Sequence, residues 1–155
     1  MSEPAWEIEH SVETTTNLAF AWKYITNIEN CDDPPATFKL DGPFANGSHG
    51  TTFTPGQEPR HWQLRDVNPM EGYTVEFPLE RATLSSVWSF EALPAGGTQL
   101  TQRMVLRGEN AGAFLADVQL AFTSNIAPGM ARIAAAIERA SAKANEARQA
   151  EPHEG

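Results

Sequence analysis

TLSSVWSFEALPAGGTQLTQRMVLRG, residues 83–108, alternates on both sides of a turn. Leu84, Ser86, Trp88 and Phe90 fall on one face of the first run, and Leu100, Gln102, Met104 and Leu106 on one face of the second. Between them stands Pro94-Ala95-Gly96-Gly97, a turn composition. A period of two on either side of such a turn predicts an antiparallel hairpin with one buried face. Each stripe carries a polar residue among its apolar ones, Ser86 in the first and Gln102 in the second.

Upstream the same signal repeats. GYTVEFPL aligns Tyr73, Val75, Phe77 and Leu79, after a turn at Asn68-Pro69. RHWQLRDV, residues 60–67, alternates less cleanly, with Trp62 and Leu64 opposed to His61, Gln63 and Arg65. ATFKLDG puts Ala36, Phe38 and Leu40 on one face, and Asn46-Gly47 marks a hairpin turn, because both residues tolerate positive φ. WEIEHSVE, residues 6–13, is a half-buried strand with Trp6, Ile8, His10 and Val12 inward. Strands joined by short turns predict an antiparallel meander.

Two segments have helical spacing instead. Leu18, Ala21, Trp22, Ile25 and Ile28 follow the hydroxyls of Thr14 to Thr16, which can cap a helix of about three turns ending before Pro34-Pro35. Leu115, Val118, Phe122, Ile126, Met130, Ile133 and Ile137 form one apolar stripe, with Asn110 as its cap, predicting one long C-terminal helix. Pro128-Gly129 interrupts it. Inside a helix that proline costs roughly 3 kcal/mol and the glycine about 1 kcal/mol. Either the bend opens a cavity beneath the segment from Asn110 to Asn125, or it follows the sheet's curvature or marks two abutting helices.

Composition bounds the function. A single domain is expected over residues 1–145, with 146–155 as a flexible tail. The formal net charge is −9, and the eleven Lys and Arg are spread along the chain, which argues against nucleic acid and anionic membranes as partners. No apolar run is long enough for membrane insertion. The acidic start MSEPAWEIEH lacks the pattern of a signal peptide, and Cys31 is the lone cysteine, so a cytoplasmic location is expected. Cys31 has no neighbouring cation in sequence to activate it. The four histidines show no metal-ligand spacing, and GPFANG follows hairpin chemistry, not that of a phosphate loop. No metal or cofactor is implied.

The order of one strand, one or two short helices, six strands and a long helix resembles the START and birch-pollen-allergen superfamily, in its polyketide cyclase/dehydrase-like branch. The likeness spans roughly residues 5–142. It is carried by AFAWKYITNIEN (19–30), GPFANGSHGTTF (42–53), LRDVNPMEGYTVEF (64–77) and SFEALPAGGTQLTQRMVL (89–106), in that order. The resemblance implies an α+β helix-grip fold, a curved antiparallel sheet of about seven strands wrapped around the C-terminal helix. It implies a cavity between the two, and no shared catalytic motif.

In that arrangement the site residues are polar or large aromatic side chains on the inward stripes. Trp62, Tyr73, Phe77, Ser86, Trp88 and Gln102 come from the sheet, and Phe122 and Asn125 from the helix. His10, paired with Tyr73, is the candidate for acid-base catalysis, since imidazole exchanges protons near pH 7. A buried polar residue must bond to something, so Ser86, Gln102 and His10 are equally candidates for plain core hydrogen bonding. His61, Arg65, Glu76 and Arg103 fall on the convex face as solvated cross-strand pairs, and Glu80-Arg81 lies at a strand end. Three functions follow. The first is binding of a small hydrophobic lipid-, polyketide- or aromatic-like molecule, by a monomer or a dimer. The second is a cofactor-independent cyclase or dehydratase in the same cavity. The third is a protein-interaction module.

Overall fold

Seven strands form one antiparallel sheet in the order β1-β7-β6-β5-β4-β3-β2. The computed structural model describes residues 4–30 and 36–150. The strands are β1 (Trp6–Thr14), β2 (Thr37–Asp41), β3 (His49–Phe53), β4 (Arg60–Asn68), β5 (Gly72–Leu79), β6 (Ala82–Ala92) and β7 (Thr98–Arg107). β2 to β7 run as a meander, and β1 closes the far edge by pairing with β7. The alternation predicts the inner face directly: Leu84, Ser86, Trp88 and Phe90 are buried on β6, and Leu100, Met104 and Leu106 on β7. Cys31 and Pro34-Pro35 lie outside the described residues.

Helix α1 (Leu18–Ile25) bridges the two edges of the sheet, followed by a 3-10 turn over Ile28–Asn30. Its cap is Asn17, not Thr14 to Thr16: Asn17 Oδ1 accepts the Phe20 N–H at 2.9 Å. The threonines serve the strand-to-helix corner instead. Thr14 Oγ1 accepts the Thr16 N–H, and Thr98 Oγ1 donates to the Thr16 carbonyl at 2.8 Å. The capping oxygen has to sit immediately before the first helical turn, and only Asn17 does.

The C-terminal stripe is not one helix. A 3-10 turn over Ala111–Ala113 leads to α2 (Leu115–Phe122), and after a break α3 runs over Ile126–Ala150. Asn110 does not cap with its side chain; it donates to the Glu80 carbonyl at 2.9 Å and ties this corner to the β5–β6 turn. Pro128 is the third residue of α3. The first α-helical bond there runs from the Gly129 N–H to the Asn125 carbonyl at 3.0 Å, so the missing proline N–H falls among the amides that have no partner inside the helix in any case. Of the alternatives for Pro128-Gly129, two abutting helices is the one observed. α3 continues past residue 145, and residues 151–155, including His153, lie outside the described part.

Packing joins these elements. α3 lies along β1, and α1 contacts both β6 and α3. Leu100, Met104, Leu106, Met130 and Ile137 are almost completely buried where sheet and helix meet. One loop and one strand depart from regular geometry. Asn46-Gly47 lies in a longer loop between β2 and β3, in which Asn46 Oδ1 accepts the Val67 N–H at 2.7 Å. The irregular run 60–67 contains a bulge between Arg65 and Asn68, with Asp66 at φ +50°. Among the described residues no helix is long and apolar enough to cross a membrane.

Candidate functional site

The strand registers set His10, Gln102, Trp88 and Tyr73 in one transverse row across β1, β7, β6 and β5. Each of these residues is at an inward position of its strand, so period two alone gives them a common face. Trp88 and Tyr73 stack with ring centroids 6.2 Å apart and planes 17° from parallel. Phe44 meets Tyr73 edge-on at 4.9 Å, and Trp22 does so at 6.1 Å. Tyr73 thus stacks on Trp88 and meets Phe44 and Trp22 edge-on, both favoured aromatic geometries, and the cluster forms a wall.

Between that wall and α3 lies a cleft of about 1200 Å³. Tyr73, Trp88 and Gln102 supply its sheet side, and Phe122 and Asn125 its α2–α3 corner. Asn125 donates to the Ala121 carbonyl at 2.8 Å, bridging the helix break at the rim. Further lining comes from residues that the sequence did not mark as site residues: Tyr24 and Ile25 of α1, Phe38 of β2, and a long face of α3. The α3 contribution includes Gly129, Ala136 and Ala140, whose small side chains leave the space open.

Other predicted residues sit elsewhere. Ser86 is buried one row away, and its Oγ accepts the Gln102 Nε2–H at 2.9 Å; the same nitrogen approaches Met104 Sδ at 3.4 Å. Trp62 lies flat over Gly50 and donates its indole N–H to Thr52 Oγ1 at 3.0 Å. Phe77 pairs with Leu84 near the opposite end of β5. None of these three is in the cleft lining, and neither is His10. Two strands separate His10 from Tyr73, about 14 Å along the sheet at roughly 4.8 Å per strand, so the register does not make them a direct acid-base pair.

Charge is distributed unevenly. On the convex face Arg65 pairs with Glu76 at 3.5 Å, Arg103 pairs with Glu7, and at the strand end Arg81 approaches Glu109 at 3.8 Å. The cleft has Arg132, Arg139 and Lys143 along its α3 side and, among the described lining residues, no carboxylate. No group of His, Cys, Asp and Glu among the described residues could hold a metal ion.

No family model and no curated protein matches the chain. Solved structures of similar shape do. A protein from Nitrosomonas europaea superposes with a TM-score of 0.68 at 12% identity, over 88% of this chain and 96% of its own. Norcoclaurine synthase from Thalictrum flavum, in complex with dopamine and hydroxybenzaldehyde, gives 0.68 at 12% identity, over 92% and 88%. A Streptomyces aromatase/cyclase gives 0.62 at 16%, over 86% and 94%. Identities this low speak for architecture alone, and that architecture, a curved seven-stranded antiparallel sheet gripping a long C-terminal helix, is the helix-grip fold.

Proposed function

We propose that this protein binds a small hydrophobic molecule, aromatic or polyketide-like in shape, in the cleft between the sheet and α3. The aromatic-walled space of about 1200 Å³ carries this reading. Small-molecule pockets run from about 300 to 1,000 Å³; this cleft is larger because it is partly open to solvent, and its lining sets Tyr24, Phe38, Tyr73, Trp88 and Phe122 beside six polar or charged side chains. Flat rings such as Trp88 and Tyr73 favour a flat guest through offset stacking. Two proteins of the same fold are named as a synthase holding dopamine and hydroxybenzaldehyde and as an aromatase/cyclase, which supports an aromatic guest.

Titration with a neutral solvatochromic dye such as Nile red tests the proposal. Saturable binding near one per chain is expected, and Ala136→Phe, which fills the cleft from α3, should weaken it by about tenfold or more, about 1.4 kcal/mol. Binding that does not saturate on folded protein, or that ignores Ala136→Phe, would overturn it.

A second reading, a cyclase or dehydratase in the same cleft, rests on Tyr73. A phenol in the wall beside a bound substrate can donate or accept a proton. Tyr73→Phe should then abolish turnover of any substrate found and leave its affinity nearly intact.

A further inference from the structure

Arg132, Arg139 and Lys143 are seven and four residues apart on α3. At 3.6 residues per turn their directions fall within about 40° of one another, a cationic line roughly 16 Å long. Around the helix from that line come Ala136, Gly129 and Ala140, then Ile133, all lining the same cleft. One helix face thus grades from charge at the exposed edge, through small residues, to the apolar floor.

We propose that these three cations form an anion subsite, and that the ligand is an amphiphile whose apolar body occupies the cleft while a carboxylate head meets Arg139 and Lys143. The proposal rests on the cleft-binding function above and adds a chemical class to it. Three observations carry it. The chain has 20 Asp and Glu against 11 Lys and Arg, yet the described cleft lining is cationic only. Arg65, Arg81 and Arg103 elsewhere are paired with carboxylates, whereas Arg132, Arg139 and Lys143, with no ion pair to a described residue, gather along one cleft. Arg139 and Lys143 stand at i and i+4, where like charges destabilise a helix. A bound carboxylate relieves that repulsion, and a guanidinium fork grips it bidentately.

The test compares cis-parinaric acid with its methyl ester on three proteins: the parent, the triple variant Arg132→Gln/Arg139→Gln/Lys143→Gln, and Arg107→Gln as an exposed control away from the cleft. All replaced side chains are exposed, so folding should persist, and circular dichroism checks it. The parent should bind the acid about fivefold or more tightly than the ester at low salt, with the preference shrinking as salt screens it. The triple variant should lose the preference while keeping ester affinity, and Arg107→Gln should keep both. Equal binding of acid and ester by the parent, or a preference that survives in the triple variant, overturns the anion subsite and leaves the cleft-binding function standing. Absence of saturable binding by either probe overturns both. Charge-dependent binding to phosphatidylglycerol vesicles without preference for the free acid assigns the cations to a membrane surface, which also overturns the subsite.

Discussion

Gln102 donates its side-chain amide to Ser86 Oγ at 2.9 Å, joining β7 to β6 diagonally at the sheet side of the cleft. Ser86 is buried and Gln102 is half-buried, so each answers the other's need for a partner. Ser86→Ala leaves the amide with the weak Met104 sulfur contact and should lower unfolding free energy by about 1–2 kcal/mol. Adding Gln102→Met should recover part of that loss, because replacing both partners with apolar groups removes the unmet bond. Urea unfolding of the two single variants and the double variant measures the coupling, and strictly additive losses would refute it.

His10 faces Gln102 across the β1–β7 pair and is half-buried, outside the cleft lining. An inward position off the cleft predicts a packing role at the β1 edge. His10→Phe should lower the melting temperature and leave Nile red affinity within about twofold of the parent. A variant that melts as the parent does but binds or turns over poorly would return His10 to the site.

Period two reveals which face a residue occupies but not where on that face it sits. Tyr73, Trp88 and Gln102 share a stripe signal with Trp62, Phe77 and Ser86, yet only the first three border the cleft. The difference is register: β5, β6 and β7 bring the first three into one row, whereas Trp62 pairs with Gly50 on the β3 side. The C-terminal stripe ran unbroken through the helix break because α2 and α3 keep their apolar residues, from Val118 to Ile137, toward the same core. The net negative charge of the whole chain hides Arg132, Arg139 and Lys143, whose spacing of seven and four is nonetheless legible in the sequence.

Trp62 covers Gly50 so closely that a Cβ at Gly50 would lie 2.1 Å from the indole ring. The ring is also held by its bond to Thr52, so it cannot tilt away freely. Gly50→Ala should therefore destabilise the protein by about 1–3 kcal/mol through overpacking. Tryptophan fluorescence should report a displaced ring in the same variant. Parent-like stability would mean that the ring moves without penalty.

Pro128 and Gly129 occupy the first turn of α3, and their positions separate shape from stability. Restoring an N–H at residue 128 completes no bond within the α-helix, since the first such bond already begins at Gly129. Pro128→Ala should thus change unfolding free energy by less than about 1 kcal/mol; losing proline's restriction of the unfolded chain even favours a slight decrease. Gly129→Ala differs. A Cβ there would meet only Arg132 Nη2 at 3.7 Å, an ordinary contact, so the gain should approach the ~1 kcal/mol by which alanine exceeds glycine in helices. Gly129, Ala136 and Ala140 line the cleft and Pro128 does not, so Pro128→Ala should leave Nile red affinity unchanged. Gly129→Ala, which adds one methyl group to the lining, should lower it only modestly. Paired urea unfolding and dye titration of both variants checks this. A gain of about 2 kcal/mol or more from Pro128→Ala, together with tenfold weaker binding, would mean that a strained proline bend holds the pocket open.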